Sequence, residues 1–196
     1  MSDIAFYFTE GWYHIISTNA LDHQLFIVAL TATYLLKDYK KIGILITAFT
    51  IGHSLTLALS VLAIIQVQDK WVEFLIPCTI VLTAANNLMQ KNYEKQNIII
   101  NYFLALLFGL IHGLGFANTL RFMLAKNQTL GWSLFGFNMG LEVGQMLVVA
   151  LILFANYVMI NICKVKQQWW VVLLSSITLL WAIKFAVERF VFVTPN

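Results

Sequence analysis

Charge is what this chain has least of. Only 11% of its 196 residues are Asp, Glu, Lys or Arg, against roughly 25% in an ordinary soluble domain. With 60% hydrophobic residues and a mean hydropathy of +0.80, a chain of this size cannot hide its apolar surface in a core of its own. Lipid must cover part of it. The net charge of +3 is too small to attract nucleic acid, so no nucleic-acid partner is expected. Cysteine is almost missing as well. Cys78 and Cys163 fall on different apolar segments without framework spacing, which reads as neither a disulfide nor a metal pair. No ATP-binding motif, G-x-S-x-G or H-E-x-x-H is present. A basic leader is lacking too: "MSDIAFYFTEGWYH" carries Asp3 and Glu10, so no cleavable signal is expected and the first span serves as its own insertion signal.

What is there in quantity is apolar sequence. A bilayer core of ~30 Å takes about 20 residues of helix, and six runs fit: about 21–36, 42–65, 71–90, 98–120, 130–160 and 168–190. The expected fold is therefore all-α, a polytopic membrane helical bundle of about six transmembrane helices, forming a single integral membrane domain over residues 1–196. The fifth run is long enough to tilt or to extend past the bilayer. Before the first run, about 4–18 is amphipathic and rich in aromatics, which predicts an interfacial or re-entrant N-terminal helix. Pro77 sits near the start of the third run, where it adjusts the first turns without ending the helix. Lys37, Lys40, Lys41, Lys91, Lys95, Lys164 and Lys166 fall on one side of such a bundle. Lys70, Arg121, Lys126 and Arg189 fall on the other, with Lys184 inside the last run. By the positive-inside rule both termini face out.

Against this background the polar residues inside the runs need a reason, because a central charge costs at least ~2.5 kcal/mol to insert. His14 precedes the first run, and Asp22 and His23 open it. His53 lies near the centre of the second, His112 in the fourth, and Asn138 and Glu142 in the fifth; Glu73 starts the third. The four histidines all fall in or beside a run, and none lies in an inner loop. Asn138, Glu142 and Gln145 follow i, i+4, i+7 and share one helical face, and His53, Thr56 and Ser60, at i, i+3, i+7, share another. Gly109 and Gly113 form one small-residue stripe and Gly136, Gly140 and Gly144 another, which predicts that the fourth and fifth runs pack closely, with His112 and Glu142 beside the seam. Each residue has a plainer reading: a histidine bonded to a neighbour's carbonyl, an interfacial Asp22–His23 pair, glycines that serve packing alone. Together, imidazole plus carboxylate without thiolate suits a divalent transition metal such as Ni, Co or Zn. The candidate metal ligands are His14, Asp22, His23, His53, His112 and Glu142.

The blocks "GWYHIISTNALDHQLFIVAL", "FTIGHSLTLALS", "WVEFLIPCTIVLTAANNL", "FGLIHGLGFA" and "FNMGLEVGQMLVV" occur in an order that resembles the HupE/UreJ family of bacterial membrane proteins. The resemblance runs from about Gly11 to Val149. It implies an accessory protein for hydrogenase or urease, multi-pass in the bacterial plasma membrane, whose histidines bind nickel or, in some members, cobalt for uptake. It also implies that the six candidate ligands, with Glu73 and Asn138, occupy family positions. One departure stands out: Asn86 replaces a carboxylate expected in "ENL", which puts nickel specificity in question.

Three functions fit. A metal permease would use His14, Asp22 and His23 as first ligands and His53, His112 and Glu142 as a deeper set. It would draw on an ion gradient or a partner subunit, and a homo-oligomer is open to it. A zinc-dependent intramembrane hydrolase or transferase acting on a lipid or lipoprotein would use the same set to activate water, with Glu142 or Asp22 as base. Haem ligation by His53 and His112 is the third.

Overall fold

A computed structural model of the chain describes residues 3–90, 93, 98–123 and 130–193. Every regular element among them is a helix. In order they are α1 (Asp3–Ile16), a 3-10 turn (Thr18–Ala20), α2 (Leu21–Thr31), a second 3-10 turn (Leu36–Asp38), α3 (Tyr39–Val61), α4 (Asp69–Met89), α5 (Ile98–Gly115), α6 (Ala117–Met123), α7 (Leu130–Tyr157), prolonged by a π turn (Val158–Ile162), and α8 (Gln167–Val193). Lys91, Lys95 and Lys126 of the loop-charge argument lie outside the described residues.

Among the described residues five helices, α3, α4, α5, α7 and α8, are long and apolar enough to cross a membrane. The first expected run is realised differently. Its helix, α2, has 11 residues, about 16 Å at 1.5 Å per residue, half of what a bilayer core requires. It is not alone, however. Glycines on α7 show that α1 lies along the first half of that helix and in the same direction: a Cβ at Gly136 would fall on Ile4, at Gly140 on the Phe8 carbonyl, and at Gly144 against Ile15 and Trp12. Further along, Asn156 Nδ2 donates to the Tyr34 carbonyl at 3.2 Å, just past the end of α2. Thus α1 and α2 follow one another beside α7 as one broken helix.

A break inside an apolar bundle leaves helix-end carbonyls without donors. Amide side chains supply them. Gln24 Nε2 donates to the Ile15 and Ser17 carbonyls at the end of α1 (3.0 and 3.1 Å). At the far end of α2, Asn87 donates to the Ala29 carbonyl at 2.6 Å and Gln167 to the Thr33 carbonyl at 3.1 Å.

The two glycine stripes do close a helix pair each, but not with one another. Gly109 and Gly113 face α3: an added Cβ would fall on the Phe49 carbonyl or on the His53 carbonyl and Thr56 hydroxyl. The stripe on α7 faces α1. The expected seam between the fourth and fifth runs is therefore replaced by two separate seams, α3–α5 and α1–α7. A small-residue stripe sets how closely a backbone can approach; it does not select the partner.

Candidate metal centre

The break between α1 and α2 is where the histidines meet. His14 is in the last turn of α1, His23 in the first turn of α2, and His53 midway along α3. One ligand atom from each lies within 4.8 Å of the other two. The ring centroids of His14 and His23 are 4.7 Å apart, and each is 6.0 Å from that of His53. His112, in the last turn of α5, joins on the other flank at 5.1 Å from His23. The glycine seam explains how: with no side chain at Gly113, α5 approaches the His53 carbonyl directly, which brings His112 to the level of the cluster.

The walls are aromatic. His53 stacks on Phe137, His14 packs on Phe116 at 4.2 Å, and His112 packs against both Phe26 and Phe49, which stack on each other. His53 is fully buried, His112 and His23 nearly so. Buried imidazole nitrogens ordinarily find partners. Here His14 Nε2, His23 Nε2, both nitrogens of His53 and His112 Nε2 have none within the protein. His112 Nδ1, in contrast, lies 2.8 Å from the Phe108 carbonyl. A carbonyl can only accept, so Nδ1 carries the proton and Nε2 keeps a lone pair, buried without a partner, although His112 lies outside the group of three whose ligand atoms come within 4.8 Å of one another.

These residues fit a late first-row divalent ion. Around a tetrahedral ion with metal–nitrogen bonds of about 2.0–2.1 Å, ligand nitrogens stand about 3.3–3.4 Å apart, so the group closes by shifts of about an ångström per ring. A cavity of about 340 Å³ opens beside the cluster, with His14, His23 and His112 in its wall and Asp22, Glu73 and Arg189 around it.

The expected ligands thus divide. His14, His23 and His53 form one group, which removes the division into a first set and a deeper set, since His53 shares its group with His14 and His23. Asp22 borders the cavity but is engaged by Arg189, whose Nη2 is 2.7 Å from Oδ2. Glu142 is held elsewhere: Thr47 Oγ1 donates to its Oε1 at 2.9 Å across the α3–α7 contact. Asn86 lies on another cavity, of about 420 Å³, with Thr33, Tyr34 and Asn101. The missing carboxylate therefore takes no ligand from the histidine group. Two features escaped the sequence reading, namely the phenylalanine walls and Arg189, which figured only as a loop charge.

The family model described as HupE / UreJ protein matches residues 1–189 of the chain. No curated protein and no solved structure matches it.

Proposed function

The chain belongs to the HupE/UreJ family, and on that premise we propose that it carries a divalent transition metal, nickel or cobalt in the first instance, across the bacterial plasma membrane. One observation carries the reading: three imidazoles from three separate helices present unpartnered nitrogens to one another, and two of them, His14 and His23, line a cavity. A permanently occupied structural site is usually closed by four protein ligands. Three imidazoles beside a cavity leave room for an ion to arrive and depart. The cavity lies where α2 and α4 begin and α5 and α8 end. The charge distribution puts that end outside, together with both termini, so the ion would be taken from the exterior.

The decisive experiment is uptake of Ni2+ and Co2+ into proteoliposomes, beside metal analysis of protein purified without chelator. Uptake that His53→Ala abolishes supports transport. Uptake of every late first-row metal unchanged by both His53→Ala and His112→Ala would sink it. The zinc-hydrolase reading keeps one specific argument, because three histidines and one open position are also the ligand set of catalytic zinc. Stoichiometric metal that survives long dialysis, without uptake, would turn the assignment that way.

A further inference from the structure

Arg189 ties three elements together beside the cavity, and its position follows from a proline. Pro77 has no N–H to donate, so the Glu73 carbonyl, one turn earlier in α4, lacks its intrahelical partner. Arg189 Nη1, from the end of α8, donates to that carbonyl at 2.9 Å. The same guanidinium holds Asp22 Oδ2 through Nη2 at 2.7 Å. It is thereby anchored on α4 and directed at α2. The pair is mostly withdrawn from solvent, with side-chain exposures of 26% for Arg189 and 16% for Asp22, so it escapes the screening that weakens surface ion pairs. Asp22 is the neighbour of His23 in the chain, and its other oxygen, Oδ1, is buried without a partner.

One carboxylate therefore stands between a fixed internal cation and a cluster built for a mobile one. We propose that Arg189 competes with the metal ion for Asp22. With the ion on the histidines, Asp22 turns from Arg189 to become a further ligand. When the ion leaves, Asp22 returns to the guanidinium, which cannot lose its charge and so remains a constant rival. The device sets affinity low enough for release: it takes from the ion part of what the carboxylate would contribute. This rests on the metal-binding reading above and adds to it a residue that governs how tightly the ion is held.

The test uses the full chain in detergent with Co2+ as probe, following binding by its visible absorption and release by a chelator chase. Arg189→Gln is expected to tighten Co2+ and slow its release by about tenfold, within the usual range of coupling between sites. Arg189→Lys is expected to fall between the two, since lysine keeps the charge without the two-pronged geometry, and it serves where Arg189→Gln does not fold. In an Asp22→Asn background the same Arg189 substitutions are expected to change nothing, because the rivalry has lost its object. Equal or weaker Co2+ binding in both Arg189 variants overturns the proposal. So does tightening that persists with Asp22→Asn, which would be plain charge repulsion. Wild-type protein that binds no Co2+ overturns the metal-binding reading, and this one with it.

Discussion

Two groups of polar side chains lie within the apolar bundle, and they are finished differently. Between α3 and α7 polar side chains pair, since Thr47 donates to Glu142 at 2.9 Å and Thr50 to Gln145 at 2.8 Å, and Gln145 Nε2 is left over. Between α1, α2, α3 and α5, four imidazoles converge and most of their nitrogens have nothing to bond. A buried polar group left unpaired costs about 1–3 kcal/mol. Satisfied polar contacts hold a bundle together, whereas unsatisfied ones repeated on four helices are sustained only when something else pairs with them. By this criterion the histidine group is the candidate site, and the Glu142 group, mostly paired within the protein, reads as structure. Substitutions in each can break that distinction.

The largest effect is expected at the seam on which the site depends. Gly113→Val places a side chain against the His53 carbonyl and the Thr56 hydroxyl. Because the obstacle includes backbone, the cost should reach or pass the ~3 kcal/mol upper range for overpacking. Both thermal stability in detergent and metal binding should fall. Gly43→Ala, where an added Cβ meets nothing within 4 Å, is the control and should change neither. Equal tolerance at both positions would show that α3–α5 contact does not hold the histidines in place.

Next comes His53→Ala, which removes a fully buried ring with two unpartnered nitrogens. Metal binding, measured by equilibrium dialysis with Ni2+ or Co2+, should weaken by about 100-fold, the upper end of losses seen even for outer-shell partners. Stability should suffer less than for an ordinary buried aromatic, because removing two buried, unpartnered nitrogens offsets part of the lost packing. A variant that unfolds but, where folded, still binds metal would reverse the assignment.

Asn87→Ala is expected to act on the fold alone. It leaves the Ala29 carbonyl without its 2.6 Å donor, a loss of about 1–3 kcal/mol that thermal unfolding would register, with metal affinity unchanged. A tenfold loss of affinity would mean instead that the far end of α2 governs His23.

How much of this the sequence carried can be judged residue by residue. The apolar runs and the histidines within them were legible, because lipid imposes a composition that any window detects and a polar residue stands out against it. The family resemblance supplied the expectation of nickel or cobalt. Three things were not legible. The broken helix was hidden because the segment at about 4–18 reads as an interfacial or re-entrant helix apart from the run at 21–36, and what ends α1 at Ile16 is completed by Gln24, whose amide donates to the Ile15 and Ser17 carbonyls. The glycine stripes gave closeness without partners. Arg189 looked like a loop charge, since its relation to Asp22 spans 167 residues and depends on a carbonyl freed by Pro77. Each of these is a long-range choice between partners that local pattern leaves equivalent.

Glu142 marks the same limit and gives the smallest expected effect. By depth alone, a carboxylate in the fifth apolar run belongs with the histidines, since an intramembrane charge demands a cation, a proton or a partner. The geometry offers a partner: Thr47 donates to Oε1, and an amide oxygen accepts that bond as well as a carboxylate does. Glu142→Gln should therefore keep the contact, leave stability unchanged or slightly raised, and alter Ni2+ or Co2+ affinity by less than about threefold, or ~0.7 kcal/mol. Loss of affinity comparable to His53→Ala would place the carboxylate among the ligands after all, with Thr47 merely holding it in reserve, and the contrast between the two polar groups would collapse into a single site. Intact affinity with lost uptake would be the more instructive result, because it would separate holding the ion from moving it and assign the second task to the α3–α7 contact.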